Sequence, residues 1–136
     1  MLLIINTTTQ DYLEIILVGD RGEFKVKKII GRYSQAEKLM PAIDKFLQAQ
    51  KSPINQLSGL GVVTGPGGFT AVRIGVAVAN ALAWSLNLPL VGIRADEFSN
   101  NDDLVAKISD RINGLPRSKL VIPAYDLEPN ITILNR

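Results

Sequence analysis

GVVTGPGGFTAVRIG, residues 61–75, is the stretch from which the rest of the chain is read. Val62 and Val63 close a short apolar run that predicts a buried strand. Gly65-Pro66-Gly67-Gly68 then permits backbone angles that side-chain-bearing residues adopt only at a cost. From Thr70 onward the pattern is that of a long helix. A strand, a glycine elbow and a helix in that order leave unpaired backbone N–H groups at a helix N-terminus, where an anion or a closely docked neighbour satisfies them. Two phosphate motifs fail here. A Walker A loop needs Lys and Ser/Thr after its last glycine, but Phe69 and Thr70 follow Gly68, and a dinucleotide fingerprint needs Gly or Ala where Thr70 stands. The plainer reading is that the glycines bring the helix close to the sheet or to another chain.

Toward the N-terminus the chain reads as strands. Leu2–Ile5 is a continuous apolar run, Tyr12–Val18 is rich in β-formers, and Gly19-Asp20-Arg21-Gly22 turns into a third strand, Phe24–Ile30. The short connections predict two antiparallel hairpins, the first closed by a hydroxyl-rich turn at residues 6–11. Ser34 and Glu37 then have the spacing of a capping box. Leu39, Ile43, Phe46 and Leu47 fall on one face of the helix that follows, in which Pro41 predicts a kink. Gly59–Val63, Thr70–Leu86 and Leu90–Ile93 complete a strand-helix-strand unit, whose crossover makes its strands parallel. The expected fold class is therefore α/β, a mixed five-stranded sheet of three antiparallel and then two parallel strands with helices packed on it. Beyond Ile93, Asp102 or Asp103 starts a short helix running to Ile112, and Leu120–Pro123 reads as a last strand.

Composition bounds the chemistry. At 136 residues the chain is one domain of ordinary size, long enough to bury about two-thirds of its surface. Its net charge of +2 is spread over interspersed acids and bases, which is not the basic stripe that follows a nucleic-acid backbone. It contains no Cys and no His. That removes thiolate chemistry, the usual metal ligands and the commonest general base together, so any catalysis would run on carboxylates, Lys, Tyr or backbone dipoles, and no catalytic residue, metal or cofactor is assigned. Met1–Ile5 is too short and lacks the leading basic residues for a signal-peptide core. The uncharged run from Ile74 to Ile93 is interrupted by Asn80, Ser85, Asn87 and Pro89, so neither export nor a membrane span is expected.

The second helix carries a surplus. Between Val72 and Leu86 only Arg73, Asn80 and Ser85 are clearly polar, whereas a helix on an open sheet keeps a polar outer face. An all-round apolar helix is covered on both sides. Ala36, Met40 and Ala42 extend the surplus to the first helix. One sheet covers one side, which leaves the other for a second chain, unless the C-terminal segment folds over it.

Several of these stretches resemble one known family. TGPGGFTAVRIGVAVANALAWSLNLPLVGI (64–93) is similar to the signature segment of the TsaB (YeaZ) family, which reads close to GPGSFTGVRIG followed by an Ala-rich helix and a short strand. LLIINTTTQ (2–10) resembles that family's first strand and IDTAT turn, SQAEKLMPAIDKFL (34–47) its HSERLLPMIDELL helix with the internal Pro, and VIPAYD (121–126) its closing tail. The resemblance implies one lobe of an actin/Hsp70/sugar-kinase-like, ribonuclease H-like fold. It also implies a cytoplasmic, non-catalytic partner of TsaD in making N6-threonylcarbamoyladenosine in tRNA. That partner would be homodimeric when alone, with a TsaE-like ATPase in the assembled complex and tRNA engaged only indirectly. Carried over, the interface residues are Ala36, Leu39, Met40, Ile43, Phe69, Val72, Arg73, Val76 and Asn80.

The chain departs from that pattern in three places. Residues 1–98 make one TsaB-like lobe, and 99–136, a short helix and tail, stand where relatives carry a second. Asn6 replaces the turn's Asp, and Gln35 replaces a His. The alternative is a small nucleotide-binding phosphotransferase or ATPase holding an anion at Thr7, Thr8, Gly67 and Gly68. It would lack the metal-positioning carboxylate at Asn6.

Overall fold

The computed structural model describes residues 1–9, 11–30 and 35–113, with the side chains at 35–37 and 69 excepted. The expected capping box at Ser34 and Glu37, the strand at Leu120–Pro123 and the closing VIPAYD tail lie outside the described residues. The elements run β1 (Leu2–Asn6), β2 (Tyr12–Val18), β3 (Phe24–Ile30), α1 (Gln35–Ala49), β4 (Gly59–Val63), α2 (Phe69–Leu86), β5 (Leu90–Ile93) and α3 (Asn101–Ile112). Single 3-10 turns at Ile54–Gln56 and Ala95–Glu97 precede β4 and α3. These two turns carry no apolar period and were not legible beforehand.

The five strands form one sheet in the order β3-β2-β1-β4-β5. β1 pairs antiparallel with β2, and β2 with β3, as the short turns require. β4 lies parallel to β1, and β5 lies parallel to β4 through the α2 crossover that joins them. The mixed α/β sheet expected from the pattern of elements is the sheet observed.

Because strand side chains alternate, the sheet has two apolar faces and two cores. Leu3, Ile5, Leu13, Ile15, Leu60 and Val62 point to one side, where Leu39, Ile43 and Phe46 of α1 and Val72, Val76, Ala79 and Leu82 of α2 meet them. Ile4, Ile16, Val18, Val63, Val91 and Ile93 point to the other, where Leu104, Val105 and Ile108 of α3 cover them. Buried on both faces, β1, β2 and β4 read as nearly continuous apolar runs rather than as alternations, interrupted by the buried Glu14 of β2 and ended in β1 by the buried Asn6.

The helix ends are made by local chemistry. α1 continues through Pro41 to Ala49. α2 stops at Asn87, which takes the left-handed conformation at φ 54° while Leu88 N–H donates to the Ala83 carbonyl, a Schellman closure with Asn in the place of Gly. α3 is started by Asn100, whose side-chain oxygen accepts from Asp103 N–H at 2.9 Å, two or three positions earlier than the Asp102 or Asp103 start expected.

Candidate interaction surface

The glycine elbow is a packing joint. Gly65 sits at φ 114°, open to glycine and strained for other residues. Its carbonyl accepts from Ala95 N–H at 2.7 Å, and Thr64 N–H donates to the Ile93 carbonyl at 2.8 Å, so the loop after β5 props one side of the joint. The β1–β2 turn props the other side. A Cβ at Gly67 would stand 2.9 Å from Thr8 Cα, and one at Gly75 would stand 2.4 Å from Thr7 Oγ1.

The turn itself is internally bonded. Thr7 is fully buried, and its hydroxyl donates to the Ala71 carbonyl in the first turn of α2 at 2.7 Å. Thr8 donates both its N–H (3.0 Å) and its hydroxyl (2.6 Å) to the Asn6 side-chain oxygen. The Thr9 hydroxyl donates to the Tyr12 carbonyl. Of the four residues expected to hold an anion, Thr7, Thr8 and Gly67 are thus brought together, but by packing and hydrogen bonds to one another and to α2. Gly68, the helix cap, is exposed with open space where its side chain would be. Among the described residues, no group of three acidic side chains lies close enough to hold a metal ion.

A second polar cluster braces the segment from β5 into α3. The Arg94 guanidinium makes two hydrogen bonds to the Asp96 carboxylate, at 3.1 and 3.0 Å. Glu97 accepts from Arg94 N–H at 2.8 Å and from the Arg111 guanidinium at 2.8 Å. Lys107 donates to the Glu97 carbonyl and to Asp103. The Arg94 N–H bond, then the Arg111 guanidinium, hold Glu97 below the ordinary glutamate range, while Asp96 is lowered chiefly by the Arg94 guanidinium and Asp103 by the Ser99 N–H. None of these groups is deeply buried, so the cluster locates the loop rather than forming a reactive centre.

α1 and α2 lie side by side on one face of the sheet, and α3 lies on the other. The described C-terminal helix therefore leaves the outer side of α1 and α2 uncovered. On that side α2 presents Arg73, Ala77, Ala81 and Trp84, with Trp84 75% exposed, and α1 presents Met40, 40% exposed, and Pro41. Ile74 and Val78 are half-buried at the margin.

The interface residues carried over by resemblance fall into three groups. Met40 and Arg73 are exposed, and Asn80 is half-buried with its amide donating to the Val76 carbonyl at 3.0 Å. Leu39, Ile43, Val72 and Val76 are buried between α1, α2 and the sheet. The Ala36 and Phe69 side chains lie outside the described residues. The residue that stands out in the structure and is missing from that set is Trp84, one of the few polar-free positions at which the apolar surplus of α2 reaches solvent. Its large aromatic side chain at the helical spacing of Ala77 and Ala81 was the available signal.

With this geometry in place, three comparisons are informative. The profile of the family described as TsaD, tRNA N6-adenosine threonylcarbamoyltransferase, matches residues 32–97, which hold α1, β4, the elbow, α2 and β5. The tRNA threonylcarbamoyladenosine biosynthesis protein TsaB of Haemophilus influenzae is 30% identical over 128 residues, 88% of this chain and 53% of the relative. TsaB of Bacillus subtilis is 36% identical over 80 residues, 55% of this chain and 35% of the relative. The chain thus spans about half the length, or less, of the curated relatives it matches. Among solved structures, YeaZ from Pseudomonas aeruginosa superposes with a TM-score of 0.63 at 25% identity, over 68% of this chain and 43% of that one. The actin-like, ribonuclease H-like lobe implied by the sequence motifs is the fold these neighbours share.

Proposed function

Because the chain belongs to the TsaB (YeaZ) family, we propose that it serves in the threonylcarbamoyladenosine modification of tRNA, as a subunit that binds a TsaD-like transferase and carries out no chemistry itself. In this reading residues 1–98 are the lobe that bears the contact, and the contact is the outer side of α1 and α2. The observation that carries it is Trp84, three-quarters exposed on a helix whose outward positions 77 and 81 are alanines. Small residues let a second helix approach closely, and a central Trp is the side chain that most often dominates such contacts.

The match of residues 32–97 to the transferase's own profile adds support. When two chains share the elements of a helical face, the face that pairs with a copy of itself suits the relative by the same approximate two-fold arrangement. The same surface therefore serves a homodimer when the chain is alone and a heterodimer when the transferase is present, with a TsaE-like ATPase joining the assembled pair.

The nucleotide-enzyme reading gains nothing from the turn. The Thr7 and Thr8 hydroxyls already donate to Ala71 and Asn6, and the Asn6 amide carries no charge for a metal.

Sedimentation of the chain, alone and mixed with TsaD from the same organism, tests the proposal. The expected result is a self-associated species replaced by a one-to-one complex, and Trp84→Ala should weaken that complex by about thirtyfold or more, on the order of 2 kcal/mol, with circular dichroism unchanged. A chain that stays monomeric and ignores the transferase at high concentration ends this reading.

A further inference from the structure

We propose that the free edge of β3 and the groove beside it form a second docking site, which takes an extended acidic polypeptide segment as a sixth strand. This inference concerns the end of the sheet away from β5 and does not rest on the transferase reading.

Among the described residues, strand order places β3 at the edge, with β2 as its strand neighbour. The register sets Lys25 opposite Leu17, Lys27 opposite Ile15 and Ile29 opposite Leu13, and those three partners all point into the core beneath α1. Lys25, Lys27 and Ile29 therefore stand on the α1 side of the sheet. α1 answers with Lys38 and Lys45, one face of the helix at i and i+7. Between strand and helix lies a groove of about 880 Å³, floored by Ile29, Ala42 and Phe46 and rimmed by these four lysines. Among the described residues, no acidic side chain lines it. Within the described residues none of the four ammonium groups has an ion-pair partner.

On the opposite side of the same strand, Val26 is 37% and Ile30 72% exposed, while Lys28 is already placed over the Tyr12 ring at 4.6 Å. Two kinds of surface thus flank one unpaired backbone edge, cationic on the groove side and apolar on the other. A lysine-rich edge ordinarily repels indiscriminate strand pairing. Carboxylates at every second position of an incoming strand reverse that repulsion on the groove side, and the aliphatic residues between them cover Val26 and Ile30. The three consecutive residues Lys25, Val26 and Lys27 line the groove on the edge strand of the described sheet. A polypeptide backbone matches that edge and a nucleic-acid backbone does not, which favours an acidic peptide over RNA.

The probe is a fluorescein-labelled ten-residue peptide alternating Glu and Val, read by fluorescence anisotropy against the full chain, with backbone amide NMR to locate it. Saturable binding is expected, weakened at least tenfold for a peptide of the same composition arranged as a Glu block and a Val block, and absent for a Lys-Val alternation. Lys25→Glu/Lys27→Glu on the strand and, independently, Lys38→Glu/Lys45→Glu on the helix should each weaken it at least tenfold, and the largest amide shifts should fall within residues 24–30. Equal binding of the alternating and block peptides, equal competition by single-stranded RNA, shifts centred elsewhere, or no binding would each overturn the proposal.

Discussion

At position 75 α2 carries no side chain, and the space where a Cβ would sit is taken by Thr7, whose Oγ1 and Cγ2 lie 2.4 and 2.7 Å away. Thr7 cannot turn aside, because it is fully buried and its hydroxyl is bonded to the Ala71 carbonyl. Two effects compete in Gly75→Ala. Helix propensity favours Ala by about 1 kcal/mol, while forcing a methyl into a filled site costs about 1–3 kcal/mol. The short distances decide for the second. Gly75→Ala should lower the melting temperature by several degrees, and a Thr7→Ala/Gly75→Ala double mutant should lose less than the sum of the two single changes. A stabilised Gly75→Ala would show that the joint has room to spare. The glycine itself was visible in the GPGGFTAVRIG stretch, but close packing was read there for the elbow glycines Gly65, Gly67 and Gly68 and not for Gly75. Its neighbour was not visible, since Thr7 and Ala71 stand 64 positions apart and no local pattern links them.

At the scale of the element, α2 is apolar nearly all round, so the pattern says that both of its sides are covered without saying which side meets the sheet. The fold sets the phase. Val72, Val76, Ala79, Leu82 and Ala83 turn inward, and Ala77, Ala81 and Trp84 turn out. Adjacent residues therefore have opposite consequences. Val76→Arg places a charge among fully packed apolar side chains and should unfold the chain or cost several kcal/mol in denaturant titration. Ala77→Arg should keep the melting temperature within a degree or two while abolishing self-association and transferase binding in sedimentation. If Ala77→Arg unfolds the protein as Val76→Arg does, the outer side of α2 belongs to the core. A similar separation runs along α1, where Leu39 and Ile43 are buried and Met40 is exposed one position away. An amphipathic helix such as α1 reveals its inner face through its spacing, which is why its core residues were read correctly, whereas α2 offers no polar stripe to count from.

For the whole molecule, both faces of the sheet are closed by apolar packing, under α1 and α2 on one side and under α3 on the other, and beyond β5 the cluster of Arg94, Asp96, Glu97, Asp103, Lys107 and Arg111 adds a polar tie to α3. Glu97 is held below the ordinary glutamate value of 4.5, first by the Arg94 N–H and then by Arg111, so the folded chain binds this proton less readily than the unfolded one. The stability it contributes is complete above that value and is lost as pH falls through the lower folded-state value. Urea midpoints should decline below about pH 4.5, and Glu97→Gln should start lower and decline less steeply over the same range. Parallel acid slopes for the two proteins would mean that the cluster is not linked to folding. The strands and long helices, their order along the chain, the two antiparallel hairpins and the parallel direction of β4 and β5 were determined by the sequence alone, because periodicity, turn residues and connection length are local quantities. Leu2–Asn6, Tyr12–Val18, Phe24–Ile30, Gly59–Val63 and Leu90–Ile93 could all be placed from them to within a residue. What only the tertiary structure decided is which side of α2 faces water, what fills the space beside Gly75, and that Lys25 and Lys27 meet Lys38 and Lys45 across one groove. Each of these depends on contacts between residues distant in the chain, and such contacts are set when the two faces of the sheet are covered, not by any segment on its own.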